Sequence, residues 1–143
     1  MGVIIQAANP SDYPAIIALI QELAGTIDEV SPATEAYLHT YLRHPGSHIL
    51  LAKLEEQTVG LLNYSIRPNL YHAGNSCFIE DFVVTAAARG RGIGTALMKV
   101  LVQQAEEGQC VEIGVATENR DSLRFYHSFG LVDQSIFLEK HNY

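Results

Sequence analysis

The sequence reads as one mixed α/β domain, a central twisted β-sheet with helices on both faces. Three features point there. Short apolar runs recur at strand length, bounded by turn residues. Two longer segments repeat their apolar residues every three to four positions, as amphipathic helices do. A glycine-rich turn over residues 89–96 joins a strand-like run to the cleaner of those helices. At 143 residues the chain is one domain long, enough for a core that buries roughly two-thirds of the unfolded surface. The expected element order is β-α-α-β-β-β-α-β-α-β, with the ligand at the C-terminal ends of the strands.

Taken in order, residues 3–7 read as a first strand. Asn9-Pro10-Ser11-Asp12 opens a helix with Tyr13, Ile16, Ile17, Ile20, Leu23 and Ala24 on one face. Residues 28–32 break that pattern, and Ser31 followed by Pro32 predicts the start of a shorter helix through about Leu42. Residues 47–54 and 58–67 are expected to pair as a hairpin around Glu55-Glu56-Gln57. Residues 68–76 read as a loop and 77–85 as the next strand. After the turn a helix runs to about Glu107, burying Ile93, Ala96, Leu97, Val100, Leu101 and Ala105. A strand over 110–116, a short helix over 119–129 stopped by Gly130, and a last strand over 132–139 complete the set.

Composition narrows the function. The formal charge is −7, and the nine Lys and Arg form no run, which argues against a nucleic-acid partner. The same acidity suits a cationic small substrate. Cys77 and Cys110 lack C-x-x-C spacing and read as free thiols in a reducing compartment. The six histidines show no metal-ligand spacing, so no metal is expected. No segment approaches a membrane span and no signal-peptide pattern opens the chain, so the expectation is a cytoplasmic protein.

The turn Arg89-Gly90-Arg91-Gly92-Ile93-Gly94-Thr95-Ala96 carries the functional signal. Alternate glycines let backbone N–H groups point into space that side chains would fill. The helix behind them adds unpaired first-turn donors and the positive end of its dipole. Arg89 and Arg91 add two fixed charges, which makes the turn a phosphate cradle. A Walker A loop is excluded because no lysine lies here, and a dinucleotide fingerprint starting at Gly90 would need glycine at Thr95. What remains is R-x-x-G-x-G, matched by Arg89, Gly92 and Gly94.

That motif resembles the acetyl-CoA pyrophosphate loop of the GCN5-related N-acetyltransferase superfamily. The element order resembles that family's fold from end to end. Downstream, Asn119-x-x-Ser122-x-x-Phe125-Tyr126-x-x-Phe129-Gly130 is similar to its second signature, with Leu131 where the family usually has Phe. The turn Ala86-Ala87-Ala88 is plainer than the family's usual version. The resemblance implies an acetyl-CoA-dependent N-acetyltransferase. Backbone N–H groups of Arg89, Gly90, Arg91, Gly92, Ile93 and Gly94, with the Thr95 hydroxyl, would hold the CoA pyrophosphate. Phe82, Val83 and Val84 would pair through their backbones with the pantetheine arm, and an amide there would polarise the thioester carbonyl. Asn119 and Ser122 would meet the same arm, although Asn119 reads equally as a helix N-cap. Tyr126 would return a proton to the departing thiolate, or serve as a core tyrosine.

Glu80 and Asp81 are the acid–base candidates. Neighbours on a strand point to opposite faces, so Glu80 is expected with Phe78, Phe82 and Val84, and Asp81 with Ile79 and Val83. Burial in so apolar a strand would push a carboxyl toward the range of a general base. The segment also resembles the corresponding strand of polyamine acetyltransferases. Glu80 is read as the base, directly or through water, and Asp81 as a group for the cationic amine or a structural acceptor. Tyr64, Arg67 and His72, near the third strand and the loop that follows it, are candidates for the acceptor pocket, although an ordinary structural role is the favoured reading of each. The mechanism expected is direct transfer in a ternary complex, because neither cysteine has a histidine positioned for an acyl-enzyme. Homodimers are common in the family, but nothing in 132–143 establishes one here. A non-catalytic acyl-CoA-binding sensor on the same fold is the alternative.

Overall fold

A computed structural model describes residues 2–117 and 119–142. Strands β1 (Ile4–Ala7), β2 (Ser47–Leu54), β3 (Gln57–Asn69), β4 (Gly74–Val84) and β5 (Cys110–Val115) form one five-stranded sheet in that spatial order. Neighbours are antiparallel except β4 and β5, which run parallel and are therefore joined by a crossover helix. Helices α1 (Tyr13–Gly25) and α2 (Glu35–Tyr41) cover one face of the sheet. Helices α3 (Ile93–Glu107) and α4 (Arg120–Ser128) cover the other. The core accordingly has two halves. Ile16, Leu19 and Leu38 meet Leu51, Leu61 and Val83 on the first face. Ile93, Leu97, Met98 and Leu101 meet Leu50, Leu62, Tyr64 and Ile79 on the second.

Three expectations about elements are corrected. The second helix does not begin at Ser31-Pro32. The Gln21 side chain hydrogen-bonds both the N–H and the C=O of Ser31, which holds the chain extended there. Thr34 is the N-cap instead, its hydroxyl accepting from the Tyr37 amide. Residues 68–76 are largely strand rather than loop. Asn69 pairs with Gly74, leaving a four-residue turn at 70–73. Pro68 is tolerated because β2 ends opposite Ser65, so only the β4 edge of β3 is paired there.

The expected last strand over 132–139 is absent from the described residues. Gly130, at φ +88°, ends α4 as predicted. The chain beyond it joins no ladder, and an alternating apolar pattern makes a strand only where an edge receives it. Val132, Ile136 and Leu138 are 63%, 87% and 86% exposed.

One irregularity positions the site. Along β3 and β4, Asn63 lies opposite Asp81 but Tyr64 lies opposite Ile79. Glu80 is therefore the extra residue of a β-bulge. At nearly the same level β4 loses its other neighbour, because its last partner on β5 is Ile79, opposite Val115. Among the described residues, 80–84 thus have no strand partner on the side where β4 and β5 part, and of that edge the Val84 carbonyl is taken by Arg89 Nε.

Candidate active site

The glycine turn lies at the end of β4 and leads into α3. Gly90 and Gly92 take φ of +78° and +76°, and the space where a Cβ would stand is open in both. Gly92 is also the N-cap of α3, and having no side chain it leaves the first-turn N–H groups uncapped. Gly94 differs from them, since a Cβ there would make ordinary contact with the rings of Phe125 and Phe82, at 3.7 and 3.8 Å. Thr95 and Arg91 are exposed. An open, uncapped cradle of this kind fits a diphosphate, and the β5-side edge of 80–84 fits an extended amide chain laid beside Phe82, Val83 and Val84.

Arg89 is turned away from the cradle. Its Nε donates to the Val84 carbonyl at 2.9 Å, and its guanidinium lies 3.6 Å from Glu22 on α1. Glu22 also accepts from the Thr85 hydroxyl at 2.7 Å and from the Ala86 amide at 3.0 Å. One carboxylate thus clasps the whole approach to the turn. The sequence carries no signal for that role, because the partners lie more than 60 residues away.

The carboxylates are not arranged as strand alternation predicts. The bulge brings Glu80 and Asp81 to the same face of the sheet, the one covered by α1 and α2. Asp81 Oδ2 accepts from Asn63 Nδ2 at 2.8 Å, and Asn63 Oδ1 accepts from the Tyr41 hydroxyl at 2.9 Å. Glu80 Oε2 accepts from the Ser65 hydroxyl at 2.8 Å. Burial pushes the Tyr41 phenol up, and the charges of both Glu80 and Asp81 add to that rise. Glu80 is exposed, so the buried setting expected for it is not what the fold provides. Tyr41, Asn63 and Ser65 are the site residues that sequence reading missed. Asn63 had a signal, as a polar residue closing the apolar run Val59-Gly60-Leu61-Leu62.

Tyr126 is on the opposite face. It is buried against the α3 side, with its ring 6.4 Å from Phe82 and 5.5 Å from Phe125, and burial raises its pKa. It and the carboxylates approach the gap between β4 and β5 from two sides. Asn119 is the N-cap of α4, its Oδ1 accepting from the Asp121 amide at 2.9 Å. The Ser122 hydroxyl donates to the Asn119 carbonyl and pairs with Thr117 at 3.0 Å. Both residues therefore shape the start of α4.

Two acceptor-pocket candidates are not brought to this place. Tyr64 is buried on the α3 face, where it donates to Gln104, stacks 5.0 Å from His48 and has its pKa pushed up to about 12 by burial. It borders a cavity of about 680 Å³ also lined by Pro45, Pro68 and Glu107, at the end of α3 remote from the cradle. His72 is exposed on the turn at 70–73, roughly 20 Å of strand from the bulge. The bulge explains the first miss and the lengthened hairpin the second.

The chain is similar to several acetyltransferases. The Homo sapiens spermidine/spermine N(1)-acetyltransferase-like protein 1 is 32% identical over 145 residues. That match takes in 92% of this chain but 21% of the human protein, so the chain spans about a fifth of its length. Thialysine N-epsilon-acetyltransferase of Sus scrofa is 26% identical over 145 residues, covering 92% of this chain and 85% of that protein. Among solved structures, a transcriptional regulator from Bacillus halodurans C-125 superposes with a TM-score of 0.86 at 26% identity, over 99% of this chain and 100% of that one. The acetyltransferase (GNAT) family model matches residues 13–131, which include both carboxylates, the whole glycine turn and Tyr126. The chain belongs to the acetyltransferase (GNAT) family.

Proposed function

We propose that this protein acetylates the primary amine of a small cationic molecule by direct transfer in a ternary complex. The observation that carries the reading is the bulge at Glu80, which gathers two carboxylates on one face beside the gap between β4 and β5. Acetyl-CoA supplies the electrophile, an acetyl thioester. The rest is work for the chain's own groups. Glu80 and Asp81 attract the ammonium, and Glu80, directly or through water, accepts the proton that an amine of pKa near 10 must lose before its nitrogen can attack. A backbone N–H on the β5-side edge at Phe82–Val84 faces the developing oxyanion. Tyr126 gives its proton to the thiolate, and burial keeps that phenol protonated across the neutral range. The turn from Arg89 to Thr95 binds the diphosphate, with Asn119 and Ser122 shaping the α4 end of the groove. The acidic balance and the relatives named for polyamines and thialysine support a cationic acceptor over a nucleic acid. The free thiols Cys77 and Cys110 support a cytoplasmic setting.

The test is thiol release from acetyl-CoA across a panel of amines, for wild type, Tyr126→Phe and Glu80→Gln. Each variant should lower kcat about 10- to 100-fold while the acetyl-CoA KM stays close to wild type. CoA binding without turnover of any amine would instead make the protein an acyl-CoA sensor.

A further inference from the structure

The bulge that gathers the two carboxylates also ties one of them to the helical layer above. Asn63 is buried, and its amide is used at both ends. Oδ1 accepts from the Tyr41 hydroxyl and Nδ2 donates to Asp81 Oδ2. Reversing the amide would set its carbonyl oxygen against the carboxylate, so the order of the three residues has a direction. Tyr41 is the last residue of α2 and packs into the core of that face. Glu80 is held independently, by Ser65 from within the sheet.

We propose that Tyr41 and Asn63 are positioning residues for the acceptor amine. The chain Tyr41–Asn63–Asp81 fixes one oxygen of Asp81 and leaves the other to take the substrate ammonium. The proposal rests on the acetyltransferase reading above. A half-buried carboxylate on a strand has two torsions to settle, and a donor anchored in the core settles them before the amine arrives. The donor must itself be oriented, which is the part Tyr41 plays. Its phenol is raised by burial and by both carboxylates, so it stays protonated and donates throughout the neutral range. Loss of the chain therefore acts on capture of the amine and leaves proton transfer at Glu80 and Tyr126 in place. It also makes α2, a helix remote from the cradle, part of acceptor selection.

The experiment compares Asn63→Leu, Tyr41→Phe, Asp81→Asn and the double variant Asn63→Leu with Asp81→Asn, using an amine the wild type acetylates. Asn63→Leu should raise the amine KM about tenfold, with the acetyl-CoA KM unchanged and kcat within about twofold. Tyr41→Phe should move the amine KM the same way by a smaller factor. The double variant should be no worse than Asp81→Asn, because both changes break one chain. An unchanged amine KM, a fall confined to kcat, or additive effects in the double variant would overturn the proposal. Should Asn63→Leu not fold, Tyr41→Phe decides alone, since it removes a single oxygen. A second readout needs no turnover. The side-chain amide protons of Asn63, followed by NMR, should shift on titration with propylamine and on Asp81→Asn. Silence in both overturns the relay. A response in a protein that acetylates no amine supports the relay and overturns the acetyltransferase reading.

Discussion

At Gly90 and Gly92 the backbone sits at φ near +77°, where a Cβ crowds the following carbonyl. Nothing else fills the space beside either residue, so a side chain there meets strain and no neighbour. Gly92→Ala should therefore cost about 1 kcal/mol of stability in a urea titration, through the backbone alone. It should also raise the acetyl-CoA KM severalfold while the amine KM holds, because the strained cap no longer aims its N–H groups. Equal stability and an unchanged acetyl-CoA KM would mean the turn does not depend on its left-handed geometry. The glycines were legible from sequence because spacing alone exposes them. Arg89 was legible as a motif position but not in its contacts, since its partners are a carbonyl five residues back and a glutamate on α1.

Elements were readable where pattern and partner agree. The faces of α1 and α3 follow from spacing, and Tyr13, Ile16, Ile93, Leu97 and Leu101 are buried as expected. Pattern failed where a tertiary contact chose the outcome. Gln21 moved the start of α2 from Ser31 to Thr34, and the bulge at Glu80 turned two expected opposite-face carboxylates into neighbours. Period-two alternation cannot reveal a bulge, because the extra residue leaves the composition of both flanks unchanged. The clasp from α1 to the cradle is equally invisible in sequence and has a direct test. Glu22→Ala removes the acceptor shared by Thr85, Ala86 and Arg89. The expected result is a severalfold higher acetyl-CoA KM, with kcat and amine KM near wild type, in steady-state kinetics over both substrates. A loss confined to kcat would assign Glu22 to the chemistry instead.

The whole molecule is a sheet with two helical layers whose edges are less finished than its faces. Leu70 and Tyr71 stand exposed on the turn between β3 and β4 and Val111 on the outer strand β5, as do Val132, Ile136 and Leu138 on the tail. So much exposed apolar surface on one chain favours self-association. Sedimentation should show mass rising with protein concentration, and Ile136→Asp with Leu138→Asp should return the protein to monomer. A monomer at all concentrations would refute this. The interior makes a separate statement, about alkali. Burial, helped by the nearby Cys110 thiol, pushes Cys77 from 9.0 to about 12, and burial carries Tyr64 from 10.0 to about 12. A folded value above the unfolded one means that the native state keeps a proton the unfolded chain gives up. The stabilisation from Cys77 is therefore complete below about pH 9 and is lost as pH climbs toward 12, at up to roughly tenfold in the folding constant per pH unit. Tyr64 joins the decline one unit later. Cys77→Ala should start slightly less stable at pH 7, because it opens a small cavity, yet lose less between pH 9 and 11 than wild type. Urea midpoints measured across that range should converge. Parallel curves would show that the thiol keeps its proton no more tightly in the folded protein than in the unfolded chain.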